Sequence, residues 1–176
     1  MIEQADYWRK DLYKLAKVIE RRYRQKKWSS ISFHNLEKEI FLGLFSIRKL
    51  IESKKVAKSI CNLNYSITTY PYSTNNLSLW KNPNPLNNYD LLNGISSNKS
   101  IEEICNQFIH SKIFIPFIPL NEELVGIYVC SDKYKSIELY YIQLITIIEL
   151  YLSVSSDEIK RIKLNIEGRI LSVSDF

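Results

Sequence analysis

The chain holds 176 residues and 20.8 kDa, 45% of them hydrophobic and 24% charged, the proportions of one soluble globular domain able to bury a full core. Four Gly, five Pro and 12% aromatic residues exclude collagenous, low-complexity and wholly disordered chains. The net charge of +5 is unevenly placed: residues 1–28 carry nine Lys or Arg against four acids, and in the rest of the chain bases and acids cancel.

The opening residues, Met1 to Asp6, include acids and no apolar run, and no stretch reaches the ~18 uninterrupted apolar residues of a membrane span. Leu139 to Val154 is the longest greasy region, and Gln143 and Glu149 break it. A cytoplasmic protein without a membrane partner is expected. Cys61, Cys105 and Cys130 form no CxxC pair and are read as reduced thiols, mostly small core residues.

In chain order, residues 1–28 predict a basic helix. Trp8, Leu12, Leu15, Ala16, Ile19 and Tyr23 recur at helical spacing as its apolar stripe, which leaves the bases on the flanks and outer face. Arg21, Arg22, Arg24, Lys26 and Lys27 concentrate at its end, interleaved with Tyr23 and Trp28. One or two cations there suffice to offset the helix dipole. The seven bases from Lys14 to Lys27 also suit a phosphate backbone with bases stacked on the rings, a solvated face or protein contact, or an anionic membrane surface.

After a polar break at Ser29 to Ser32, a second helix is expected with Ser32 or Asn35 as its cap and Glu37 and Glu39 in its first turn. Leu36, Ile40, Leu44, Ile47 and Ile51 form its buried line, widened by Phe33, Phe41 and Phe45, and Arg48 near its C-terminal half stays available to a ligand. The short link makes the two helices an antiparallel pair.

Residues 61–100 hold ten Asn and three of the prolines and are read as an Asn-rich connection. Within it, Tyr65 to Tyr70 suggests a short strand that Pro71 confines to an edge or an end. Trp80 to Pro85 is a turn-rich excursion, either a binding loop or an ordinary connection. Ser100-Ile101-Glu102-Glu103 matches a capping box and starts a helix reaching Lys112. Then the period changes: Ile113–Leu120, a turn at Asn121-Glu122-Glu123, Leu124–Ser131 and Ile137–Ile142 read as antiparallel strands. Gln143–Ser153 is helical or strand, and Ile162–Val173 resembles a polar-faced hairpin.

The expected fold is thus α+β, one domain over 1–176 in which a basic helical part (1–60) packs on a small antiparallel β-sheet. The Asn-rich connection (61–100) leads to a helix plus strands (101–176).

Chemistry is sparse. No phosphate-cradling Gly loop, dinucleotide fingerprint, nucleophile elbow, zincin or EF-hand pattern is present. His34 and Glu37 share a helical face, but two ligands do not make a metal site; no metal and no cofactor are expected. In Cys105-Asn106-Gln107-Phe108-Ile109-His110, Asn106 and His110 share a helical face at ~100° per residue, whereas Cys105 lies ~140° from His110. Asn106 can therefore orient His110, and an oriented imidazole can move a proton.

That pattern resembles the R-[polar]-x-x-x-H motif of the HEPN family, helical nucleotide-binding domains that include metal-independent endoribonucleases of bacterial defence and toxin systems. The resemblance implies Asn106 as the polar residue and His110 as the histidine, acting across a dimer interface on an RNA 2′-hydroxyl. Cys105 stands where the family has its arginine, so charge stabilisation would need Arg48 or an N-terminal Arg. Glu20–Ser53 and the Cys105–Ser111 run also resemble a group of uncharacterised bacterial proteins of similar length. Two functions follow as expectations. One is an HEPN-like nucleic-acid-binding protein, RNA favoured over DNA, with weak or lost endoribonuclease activity. The other is a non-catalytic interaction subunit that contacts a protein partner or a second copy through its Tyr-rich β-half and its Asn-rich loop.

Overall fold

The computed structural model describes residues 4–73, 84–119 and 123–157, with the backbone of 163–164 and 170–172. Its order is α1 (Ala5–Tyr23), α2 (Ser30–Glu52), α3 (Lys58–Cys61), β1 (Asn64–Pro71), a 3-10 turn (Pro85–Asn88), β2 (Ile95–Ser100), α4 (Ile101–Ile109), β3 (Ser111–Phe117), β4 (Gly126–Ser131), β5 (Glu138–Gln143) and α5 (Leu144–Ser155). Two short antiparallel strands, β6 (Lys163–Leu164) and β7 (Ile170–Ser172), follow. The fold is α+β: β1–β5 form one antiparallel sheet in the order β2-β1-β5-β4-β3, covered by helices on one face.

Period-two alternation sorts the strand residues between the two faces. Ile67, Ile127, Val129, Tyr140 and Ile142 join the main core with Leu36, Ile40, Leu44, Ile47, Ile104, Phe108, Ile147 and Tyr151. On the far face Ile113, Tyr128, Cys130 and Leu139 form a smaller cluster, closed by Tyr89 and Leu86 from the segment around the 3-10 turn. Helix α1 stands outermost, packed on α5 and α2, with Leu12, Ala16 and Ile19 buried.

Several boundaries differ from the sequence expectation. Helix α1 stops at Tyr23, so Lys26, Lys27 and Trp28 lie in the link to α2. Helix α2 starts three residues earlier than expected, because Ser29 Oγ accepts from the Ser32 amide at 3.2 Å. The Trp28 ring also stacks on Phe33 with centroids 4.9 Å apart, a staple across the cap. Phe45 is exposed. Residues 61–100 are more than a connection: β1 and β2 are two of the sheet's five strands, and β1 is internal, with Pro71 at its final pairing position opposite Glu138. Helix α4 ends at Ile109, and Ser111 and Lys112 already belong to β3. The expected loop tip Trp80–Pro83 and the turn residues Asn121 and Glu122 lie outside the described residues, as does most of the expected C-terminal hairpin. Among the described residues no helix is long and apolar enough to cross a membrane.

Candidate nucleic-acid interface

The six cations expected to meet nucleic acid separate into two groups. Arg22 is structural: its Nε and Nη2 donate to both oxygens of Glu39 at 3.2 and 3.0 Å, tying α1 to α2, and both side chains are mostly buried. Arg48 is committed as well, donating to Glu52 at 3.0 Å and to Glu102 at 2.9 Å, which fastens α2 to the first turn of α4. The expectation that Arg48 stays free for a ligand does not survive those contacts. Arg24, 73% exposed, has only Glu20, at 3.2 Å, as an ion-pair partner among the described residues. Arg21, Lys26 and Lys27 are exposed and have no carboxylate in ion-pairing range among the described residues.

These four sit at one corner of the molecule. Past Tyr23 the chain turns tightly: the Arg22 side chain donates to Gln25 Oε1, Gln25 Nε2 donates to the Lys27 carbonyl at 2.7 Å, and Trp28 Nε1 donates to the Gln25 carbonyl at 2.9 Å. The turn displays Lys26 and Lys27 outward while drawing Trp28 in. Tyr23 and Trp28, expected to stack bases, are half-buried packing residues instead. Beside the corner, Lys17, Glu20, Arg21 and Arg24 line a shallow hollow of about 400 Å³. Lys17, one helical turn before Arg21, belongs to this group.

His110 caps the C-terminal end of α4 and is exposed, as is Asn106. The His110 amide donates to the Asn106 carbonyl at 3.2 Å, and the His110 carbonyl accepts from the Asp132 amide at 3.1 Å. Neither side chain hydrogen-bonds another described residue, so the two share a face without Asn106 orienting the ring. Cys105 points the other way into the core, and burial pushes its thiol up to about 12. Arg48 meets α4 at Glu102, eight residues and roughly 12 Å of helix from His110. The basic corner is also remote: Phe41 of α2, next to Phe114 and through it Phe108, marks the level of α4's end, and Ser30 lies roughly 16 Å further along α2.

Gln107, unmarked by any motif, is the working member of this hexapeptide. It is buried and its Oε1 accepts from the Ser131 amide at 2.8 Å, pinning α4 to the end of β4. Among the described residues no group of three or more His, Cys, Asp or Glu is placed to hold a metal; His34 lies with Glu37, Lys38 and Phe41 at a shallow surface hollow. No protein-family model, curated protein or solved structure matches this chain.

Proposed function

We propose that the protein is a nucleic-acid-directed binding protein, with RNA preferred over DNA, that holds phosphates on the cations at the end of α1. The observation that carries this reading is the corner itself. Arg21, Lys26 and Lys27 are exposed without carboxylate partners among the described residues, and Arg24 has there a single solvent-screened surface pair, which a phosphate can displace. Dipole compensation accounts for one or two such cations, not for four.

The HEPN resemblance adds a bacterial defence or toxin system as the setting and His110 as the proton-moving group, with Asn106 beside it. Endoribonuclease activity is weak or lost on this reading. The motif's arginine position is a buried thiol, Arg48 is held by two carboxylates, and a missing stabiliser of this type often lowers the rate ~10²–10³-fold.

Binding to labelled RNA across a salt series tests the proposal, comparing the parent with a variant carrying Arg21→Gln, Arg24→Gln, Lys26→Gln and Lys27→Gln. The parent's affinity falls steeply with salt and the variant's slope is flatter. Identical affinity and slope would end the proposal. In the same samples, strong metal-free cleavage that His110→Ala abolishes would overturn the view that catalysis is weak or lost.

A second reading rests on a different face. Tyr70, Tyr128, Tyr141 and Phe117 form an uncharged ring cluster on the sheet's far side, with Tyr128 and Tyr141 centroids 5.0 Å apart and Phe117 38% exposed. A protein-interaction subunit would use this face, because interface cores are enriched in aromatics and depleted in charge. Phe117→Ser abolishing association with a partner or a second copy, with RNA affinity intact, would favour it.

A further inference from the structure

From the layout of α1 we infer that the nucleic-acid site runs the whole length of this helix and takes a single strand, with a base entering the cleft between α1 and α5. This rests on the binding function proposed above and extends it to residues outside the basic corner.

Lys10, Lys14, Lys17, Arg21 and Arg24 are spaced by four, three, four and three residues. At ~100° per residue they fall within ~40° of one line, and over fourteen residues that line is roughly 21 Å long. All five are exposed. Asp11 pairs with Lys14 at 2.9 Å and Glu20 with Lys17 at 3.0 Å, so the row keeps an excess of positive charge. Lys10 and Lys14 sit beyond the first turn of α1 and well before its last, where the helix dipole does not call for a cation. The dipole therefore does not account for them, and a row of phosphates does.

Two features choose a single strand over a duplex. Tyr7 and Tyr13 flank that row, about 60° to either side of it, 63% and 52% exposed, each with a lysine over its ring: Lys10 at 5.7 Å and Lys17 at 5.8 Å. Exposed rings next to phosphate-binding cations form a stacking platform that only unpaired bases can reach. The second feature is the cleft. It has a volume of about 950 Å³ and is walled by Lys10, Tyr13 and Lys14 from α1 and by Leu152 and Ser153 from α5. The carboxylates of Asp6, Glu149 and Asp157 are also on its lining, so the recess suits an uncharged base while the phosphates stay on the outer row. The same lysines that would hold phosphates thus rim a recess with an aromatic and an aliphatic wall, large enough for a base. Arg9 lines it too, its guanidinium held by Asp6 at 3.1 Å and by the Lys55 carbonyl at 2.6 Å.

The test measures the affinity of the full chain for a labelled oligouridine of about a dozen nucleotides, with a blunt RNA duplex of equal length as the competitor. The variants are Lys10→Gln with Lys14→Gln, Tyr13→Ala, and Lys26→Gln with Lys27→Gln, with folding checked by circular dichroism. The inference expects the single strand to bind tighter than the duplex. Tyr13→Ala should weaken it roughly tenfold, as loss of one stacked base does, and the Lys10/Lys14 change should lower the salt slope by about 1.4. Loss confined to the Lys26/Lys27 variant, or a duplex that binds equally well, would overturn this inference and leave the corner reading standing. No binding of either probe by the parent would overturn both.

Discussion

Tyr151 shows what a single side chain can require of a distant helix. Its hydroxyl donates to the Ile40 carbonyl at 2.7 Å, the ring is fully buried, and it occupies the space where a Cβ at position 43 would stand. Glycine within α2 is explained by that ring, since the helix alone would prefer alanine. Gly43→Ala should therefore destabilise the protein by about 1–3 kcal/mol despite the better helix propensity, through overpacking of a site closed on all sides. Tyr151→Phe should cost only about 1 kcal/mol, because the Ile40 carbonyl lies inside a helix and keeps a backbone donor. Urea titration of the two variants checks the order; a neutral or stabilising Gly43→Ala would show that the ring can move aside. Cys105 belongs to the same scale. A reactive nucleophile needs thiolate and access, and this thiol has neither, so an alkylating reagent should label it only after unfolding.

Two helix ends make a contrast at the next scale. At the start of α4 both halves of the capping box form: the Ser100 amide donates to Glu103 Oε2 at 2.8 Å and Ser100 Oγ accepts from the Glu103 amide at 3.3 Å. The Ser100 amide holds the Glu103 carboxyl below the ordinary carboxylate range. A carboxylate whose pKa is depressed by folding stabilises the folded state above its unfolded pKa and loses that contribution as pH falls through the folded one. The melting temperature of the parent should therefore exceed that of Glu103→Ala at neutral pH, and the gap should close in acid below the usual carboxylate range. A gap independent of pH would assign the effect to helix propensity. At the end of α2, Lys54 has φ of 54°, and the Lys54 and Lys55 amides return to the carbonyls of Ile51 and Leu50 at 2.9 and 2.8 Å. This left-handed position, one past the cap, is where glycine is preferred. Lys54→Gly should stabilise the protein by roughly 0.5–1 kcal/mol in thermal unfolding, relieving the steric cost of a side chain at positive φ.

At the scale of the molecule, the main core draws on α1, α2, α4, α5 and the sheet together. Phe108 is fully buried and meets Phe114 edge-on at 6.2 Å, so Phe108→Ala should cost about 3–5 kcal/mol. A fragment ending at Ser59 would keep α1 and α2 but expose Leu36, Ile40, Leu44 and Ile47. It should lack a cooperative transition in calorimetry; a native-like melt would show that the helical pair folds alone.

Periodicity in the sequence determined the α+β class, the buried lines of α1 and α2, the capping box of α4 and the β3–β4–β5 strands, because these are local patterns of burial and capping. It missed β2, whose Ser- and Asn-rich stretch has the composition of a loop and becomes a strand by pairing with β1. It placed the cap of α2 too late, since the competing Ser29 is selected by the Trp28–Phe33 stack. The basic cluster was legible as charge, yet which cations are free was not. That depended on Glu39 and Glu102, distant in sequence, reaching Arg22 and Arg48 only when the helices pack. An ion pair across helices is a property of tertiary geometry, and so is the facing of α1 and α5 that opens the cleft beside Tyr13. Sequence alone determined how much positive charge the first helix carries, and only the fold decided where that charge stays unpaired.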